Sequence, residues 1–290
     1  MLLEELLNEY ILELQIKNCS STTIKSYKGN LSRFISFLEP NLELEEVKAG
    51  HIKEYIIHLQ GKGLKATYIN TVLKHIRGLF NYAVEEEYAS INVASKVRWL
   101  KEITPVIETF NQEEIKAMLS YYKGKDFLSV RNKLVIYMLL DTGIRAGELT
   151  NIRVCDINGN DLLVHGKGGK ERQLTLSPVL EKELLKYMRI RSCDSEYLFI
   201  SYRGHKLTVE SVEGIFKAMS HLVRPNIRCS PHTCRHTYSQ LLLKAGVDSY
   251  IISRLLGHNS MTVTRRYLSS LPVKDINKLS ISPIMAIKKG

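Results

Sequence analysis

Between Ser230 and Leu268 the chain reads SPHTCRHTYSQLLLKAGVDSYIISRLLGHNSMTVTRRYL, which gathers His232, Arg235, His258 and Tyr267 in one short stretch. These residue types can grip, protonate and attack a phosphodiester. Such an anion repels nucleophiles, so fixed cations must first offset its charge. Arginine stays charged and binds oxygens through a planar fork. Tyrosine, with a pKa near ~10, is mostly neutral at pH 7 and needs a nearby base or cations to act as a nucleophile. Histidine can carry the proton. Two more cations stand at places where the backbone turns sharply. Arg145 lies in DTGIRAGELTNI (Asp141–Ile152), and Lys167 lies in the GKGGK run that begins at Gly166. Taken singly, each reads as a solvated surface residue.

The elements that must position these groups follow from periodicity. Ser230 followed by Pro231 predicts a helix start, with His232 and Arg235 at i, i+3 on one face. Ile251, Ile252, Leu255 and Leu256 predict a second helix that stops at Gly257, which leaves His258 at a loop mouth. Asn259 and Ser260 offer a fresh cap, and Tyr267 follows about two turns later. Upstream, apolar spacing predicts four helices, at about 2–17, 22–38, 47–59 and 65–87, then a linker around Pro105. Asn111, with Glu114 three residues on, predicts a capping box. Helices follow near 112–122, 130–141, 178–191 and 208–222. Gly143 closes one helix, and a short one opens at or just after Arg145. Asp161–His165, GKGGK and Glu171–Leu176 read as strand, turn, strand. A further short strand near Ile152–Ile157 would complete a three-stranded antiparallel sheet. GKGGK is not a nucleotide-binding P-loop, because it lacks G-x-x-x-x-G-K-[ST] and no helix follows it directly.

The 290 residues carry a net charge of +11, with pI near 9.3, which points to a polyanionic partner. Basic and acidic residues balance over 1–100, so the whole excess falls on 101–290, the segment with the candidate chemistry. Lys25, Lys28, Lys65, Lys74 and Arg77 recur on the N-terminal helices and could face a phosphate backbone. The five cysteines are odd in number and form no C-x-x-C pair, which predicts free thiols in a reducing compartment. No apolar run approaches ~20 residues, and the start MLLEELLNEY lacks a basic n-region. The expectation is a soluble intracellular protein.

T-G-I-R with Glu148, G-K-G in a hairpin, H-x-x-R-H, L-G-H and a tyrosine nine residues beyond that histidine occur in this order. Together they resemble the tyrosine recombinases, the integrase-like site-specific recombinases. The resemblance covers nearly the whole chain. It implies a mainly α fold, with a helical core-binding domain at 1–95 that clamps DNA and a linker at 96–110. A mixed α/β catalytic domain follows at 111–290, with a C-terminal tail from about 272. It implies Tyr267 as nucleophile forming a 3′-phosphotyrosyl link, and Arg145 and Arg235 as clamps on the non-bridging oxygens. Lys167 would be the general acid for the leaving 5′-hydroxyl. His232 would assist the tyrosine proton, His258 would hydrogen-bond the phosphate, and Glu148 would orient its neighbours. Lys170, Arg172, Arg265 and Arg266 are added as DNA contacts; the last two directly precede Tyr267, where less charge is expected.

The covalent link conserves the energy of the cut strand, and the site residues already supply charge and protons. No cofactor and no metal are therefore expected. The implied partner is double-stranded DNA with inverted half-sites, bound by a homotetramer that is compatible with a monomer in solution. Accessory DNA-bending proteins remain compatible with this, and the implied place is the cytoplasm at the nucleoid. Residue 1 already begins the core-binding pattern, so an extra arm-binding domain is not expected. The apolar patches of 276–287 suit packing in trans or in cis equally. Two alternatives compete. Cys229, His232, Cys234 and His236 are dense enough for a zinc hydrolase, but H-x-x-x-H lacks the glutamate after its first histidine. A catalytically silent DNA-binding regulator of the same fold would usually have lost one of the six catalytic positions, and here all are filled.

Overall fold

The structure is a computed structural model that describes residues 1–39, 42–103, 107–166 and 169–257. Lys167, His258, Arg265, Arg266, Tyr267 and the C-terminal tail lie outside the described residues. The chain divides into two compact units, Met1–Pro105 and Val106–Gly290.

The first unit is built from α1 (Leu3–Ile16), α2 (Ser21–Ile35), α3 (Ala49–Gly61) and α4 (Ala66–Glu85). Ser20 starts α2 by accepting a hydrogen bond from the Thr23 amide at 3.3 Å, which satisfies one of the orphan donors of a helix start. Leu6, Leu31, Phe34, Ile52, Leu73, Ile76 and Phe80 are sealed in one core. That core also holds a neutral polar pair. The Asn30 amide donates to His75 Nδ1 at 3.0 Å, and the His75 ring stacks on Tyr27 at 3.8 Å. Burial, then the nearby Lys74 charge, pushes His75 down to about 4, so the ring stays neutral.

The second unit is organised on α6 (Phe127–Thr142), which packs against α5 (Gln112–Leu119), α7 (Ala146–Asn151), α8 (Pro178–Ile190) and α10 (Pro231–Lys244). Leu134, Val135, Ile136, Met138 and Leu139 of α6 are fully buried, as suits a helix surrounded by its domain. The Asn111 capping box forms, with its side chain accepting from the Glu114 amide and its own amide donating to Glu114, both at 2.8 Å. Helices α9 (Val209–Ala218) and α11 (Ser249–Leu256) complete the helical set among the described residues. No helix there is long and apolar enough to cross a membrane.

The sheet is antiparallel, in the order β1 (Ile157–Asn158), β2 (Asp161–His165), β3 (Glu171–Thr175). Its first strand is shorter than the expected Ile152–Ile157 segment, and hydrogen bonding explains the difference. The Asp156 carboxylate accepts from the Arg153 amide at 2.8 Å and closes a 3-10 turn over Val154–Asp156. Ahead of that turn, the chain pairs elsewhere. The Val154 amide donates to the Glu196 carbonyl, and the Leu198 amide donates to the Ile152 carbonyl, both at 2.8 Å. The extended character of 152–154 is real, but its partner is the 196–198 loop.

Because α6 forms the middle of the second core, Leu139→Ala should lower stability by ~2–5 kcal/mol through lost burial and a residual cavity. This would appear as a lower urea midpoint at unchanged slope. A loss under ~1 kcal/mol would contradict the placement of Leu139 in a tightly packed core.

Candidate active site

Helix α6 ends at Gly143, whose φ of +63° is the left-handed C-cap conformation. A Cβ there would meet Tyr238 at 2.4 Å and Leu256 at 2.8 Å, so both conformation and space require glycine. The turn delivers Arg145 to the start of α7. The Arg145 amide donates to Glu148 Oε2 at 2.9 Å and its Nη1 donates to Oε1 at 2.8 Å, while about half of the side chain stays open to solvent.

Arg235 reaches the same turn from α10. Its side chain is almost wholly buried; Nη1 donates to the Gly143 carbonyl at 2.8 Å and Nη2 to the Leu256 carbonyl at 2.7 Å. These carbonyls belong to the C-terminal ends of α6 and α11, where the helix dipoles place partial negative charge. One guanidinium therefore ties two helix ends together at the spot where the chain leaves for Arg145 and, beyond Gly257, for His258.

His232 stands one turn before Arg235, open to solvent on one side and crowded by protein on the other. Crowding, then the charges of Arg235, Arg145 and Arg228, pushes its pKa below the ordinary value of 6.5. The ring is thus predominantly neutral at pH 7 and able to accept a proton. His236 packs edge-on against it at 4.3 Å and is pushed down to about 4, chiefly by burial. Cys234 is sealed in the apolar core, and burial raises its thiol well above the ordinary range. It therefore occupies different surroundings from the solvent-facing His232.

Glu148 links these groups to the hairpin. It accepts from Arg172 Nη2 at 2.8 Å and Nη1 at 3.2 Å as well as from Arg145. Burial alone would raise the carboxyl, but hydrogen bonds from Arg172 and Arg145 outweigh it and hold the group below the usual range. Around this pair lies a cleft of about 1000 Å³ whose walls include Arg145, His165, Lys170, Tyr250 and Arg254. The Gly166 amide donates to the Lys170 carbonyl at 2.7 Å and closes the neck of the β2–β3 hairpin.

The structure thus brings Arg145, Glu148, His232 and Arg235 together. Lys25, Lys28, Lys65, Lys74 and Lys170 are exposed. Two arginines differ from expectation. Arg172, expected on DNA, has only 12% of its side chain exposed and is taken up by Glu148 and the Leu255 carbonyl. Arg77 donates to the carbonyls of Ala94 and Val97, and its guanidinium stacks on Trp99 at 4.2 Å, so its contacts hold the end of the first unit. Sequence reasoning missed Tyr250 and Arg254 of α11. Both line the cleft, and the polar face of that helix was the available signal. It also missed Arg33, fixed by Asn30 and Tyr68 at 3.2 Å beside Lys62 in a groove of the first unit.

Comparison with known proteins agrees with this architecture. Residues 108–272 match the phage integrase family and residues 6–90 match the phage integrase N-terminal SAM-like domain. The chain belongs to the phage integrase family. It is a tyrosine recombinase, an enzyme that cleaves and rejoins DNA strands. Tyrosine recombinase XerA of Pyrococcus furiosus is 30% identical over 91% of this chain and 88% of its own length. Tyrosine recombinase XerC of Staphylococcus aureus is 28% identical over 87% of each. Among solved structures, a lambda integrase dimer bound to a core site superposes with a TM-score of 0.77 at 20% identity, covering 91% of this chain and 97% of that one. The XerH recombinase bound to a palindromic site gives 0.72 at 22% identity, covering 87% and 78%.

His165 provides a pH test of the hairpin. Its Nε2 lies 2.9 Å from Asp156 Oδ1 and its Nδ1 lies 2.9 Å from Glu171 Oε1, so only the doubly protonated ring donates to both. The hydrogen bond with Asp156 is the largest cause of a pKa raised above 6.5, with Glu171 adding to it. The sign follows: this contribution to stability is complete below the unfolded value of 6.5 and is lost as pH rises through the higher folded value. NMR titration should show His165 protonating above 6.5, with Glu171→Gln moving it down. Titration below that value would contradict the bridge.

Proposed function

We propose that this chain recombines double-stranded DNA at specific sites through a 3′-phosphotyrosyl intermediate on Tyr267. The observation that carries the reading is the convergence of Arg145 and Arg235, from separate helices, beside a neutral His232. In the proposed step the Tyr267 oxygen forms a bond to phosphorus as the bond to the 5′-oxygen breaks. His232 assists removal of the tyrosine proton, and Lys167 gives a proton to the departing oxygen. Arg145 and Arg235 offset charge on the non-bridging oxygens as it grows toward the transition state. His258 hydrogen-bonds the phosphate, and Glu148 orients Arg145. Religation runs the same bonds in reverse with a 5′-hydroxyl of another strand, so no nucleotide is consumed.

The relatives' structures, solved as dimers and a tetramer on DNA, support a DNA partner and an oligomer here. The finer assignment is a homotetramer on two duplexes with inverted half-sites, aided by DNA-bending proteins where the site requires them. The task is integration, excision or resolution of DNA dimers, and the working place is the cytoplasm, at the nucleoid. Exposed Lys25, Lys28, Lys65, Lys74 and Lys170 are assigned to the phosphate backbone, which makes affinity fall steeply with salt. Arg265 and Arg266 are assigned there by their place beside Tyr267.

The direct test is a plasmid carrying two copies of the DNA that flanks the protein's own gene. Exchange between the copies is expected, and binding without exchange would favour the silent regulator. Arg235→Lys should be severely impaired in strand cleavage, because a point charge cannot replace a fork already held by two helix ends. A loss of only about fivefold, ~1 kcal/mol, would argue against a direct phosphate clamp.

A further inference from the structure

Arg172 joins three chain segments through one planar group. It stands on β3, just past the hairpin tip, and grips both oxygens of Glu148 on α7. Its Nε donates to the Leu255 carbonyl of α11 at 2.8 Å. The turn after α11 closes over it as well, since a Cβ on Gly257 would come within 3.1 Å of Nη1. Those three segments lead to Lys167, to Arg145 and to His258. A buried ion pair is a poor source of net stability, because desolvation offsets most of the attraction. A fork with three of its donors engaged on two elements therefore reads more naturally as a device that fixes geometry.

We propose that Arg172 is a positioning residue for DNA strand cleavage, holding the β2–β3 hairpin against Glu148 and the end of α11. The proposal rests on the recombinase reading above, in which Lys167 protonates the leaving 5′-oxygen. Arginine is needed because two carboxylate oxygens and a carbonyl must be met in one plane, which an ammonium cannot do. In this reading a shift of the hairpin costs the departing oxygen its proton donor. A displacement of about 1 Å in such a group costs roughly a hundredfold in rate.

The test compares ordinary DNA with DNA that carries sulfur at the bridging 5′ position, where the P–S bond breaks and the thiolate leaves without a proton. On the intact protein, Arg172→Gln should cleave ordinary DNA roughly a hundredfold more slowly at unchanged DNA affinity. Sulfur should restore most of that loss. Lys167→Ala should behave in the same direction, and the double variant should be no slower than Lys167→Ala alone, the mark of residues acting as a unit. Wild-type cleavage of ordinary DNA by Arg172→Gln, or an equal loss on both substrates, would overturn the proposal. If sulfur fails to rescue Lys167→Ala, the general-acid role of Lys167 falls. Arg172 is then judged by the double variant, and a fully additive loss overturns it. Should Arg172→Gln fail to fold, Arg172→Lys keeps the charge without the fork and enters the same comparisons.

Discussion

A buried guanidinium must be given partners, and at Arg235 those partners are the last carbonyls of two helices. Much of the catalytic unit can be understood from that constraint. The carbonyl of Gly143 is available because α6 ends in a left-handed turn that only glycine fits. The carbonyl of Leu256 is available because α11 ends at Gly257, which is also left-handed. Removing the guanidinium would leave two helix ends unsatisfied beside the core. Shortening it to an ammonium would hold one and lose the other. The same group thus bears on stability and on the placing of Arg145.

Electrostatics then sorts the titratable groups. Burial, then the charges of Arg235, Arg145 and Arg228, hold His232 below its ordinary value and so favour the neutral ring, the state that can accept a proton. Glu148, fixed by Arg145 and Arg172, stays ionised despite its burial and so resists becoming an acid or a base. A carboxylate with four engaged donors is suited to orienting cations. Burial thus acts oppositely on the two pKa values, with the imidazole kept neutral and the carboxylate, paired with two arginines, kept ionised.

Much of this was legible in the sequence because helices announce themselves by a 3.6-residue period and by caps. Asn111, Gly143, Ser230 and Gly257 all mark real boundaries. The order of the motifs carried the family. Partners distant in sequence were not legible. The 152–154 segment has strand character, but nothing local says that its partner is 196–198. Arg172 and Lys170 look alike on paper, two cations beside a glycine turn. Arg172, on β3, is taken up by Glu148 on α7, a partner twenty-four residues away, whereas Lys170 precedes the strand and is exposed. Arg77 likewise has partners that its local sequence does not reveal, Trp99 and two carbonyls more than fifteen residues away.

The central claim is that these cations serve attack by Tyr267 on DNA, and covalent capture tests it most directly. The protein is mixed, in EDTA, with nicked duplexes from the DNA flanking its own gene and run on a denaturing gel. Expected is a protein–DNA band that is resistant to denaturation, with the DNA-bearing peptide mapping to Tyr267 and no band from Tyr267→Phe at unchanged DNA affinity. A band that persists in Tyr267→Phe would place the nucleophile elsewhere. Binding on a native gel with no covalent band would contradict strand cleavage by this chain.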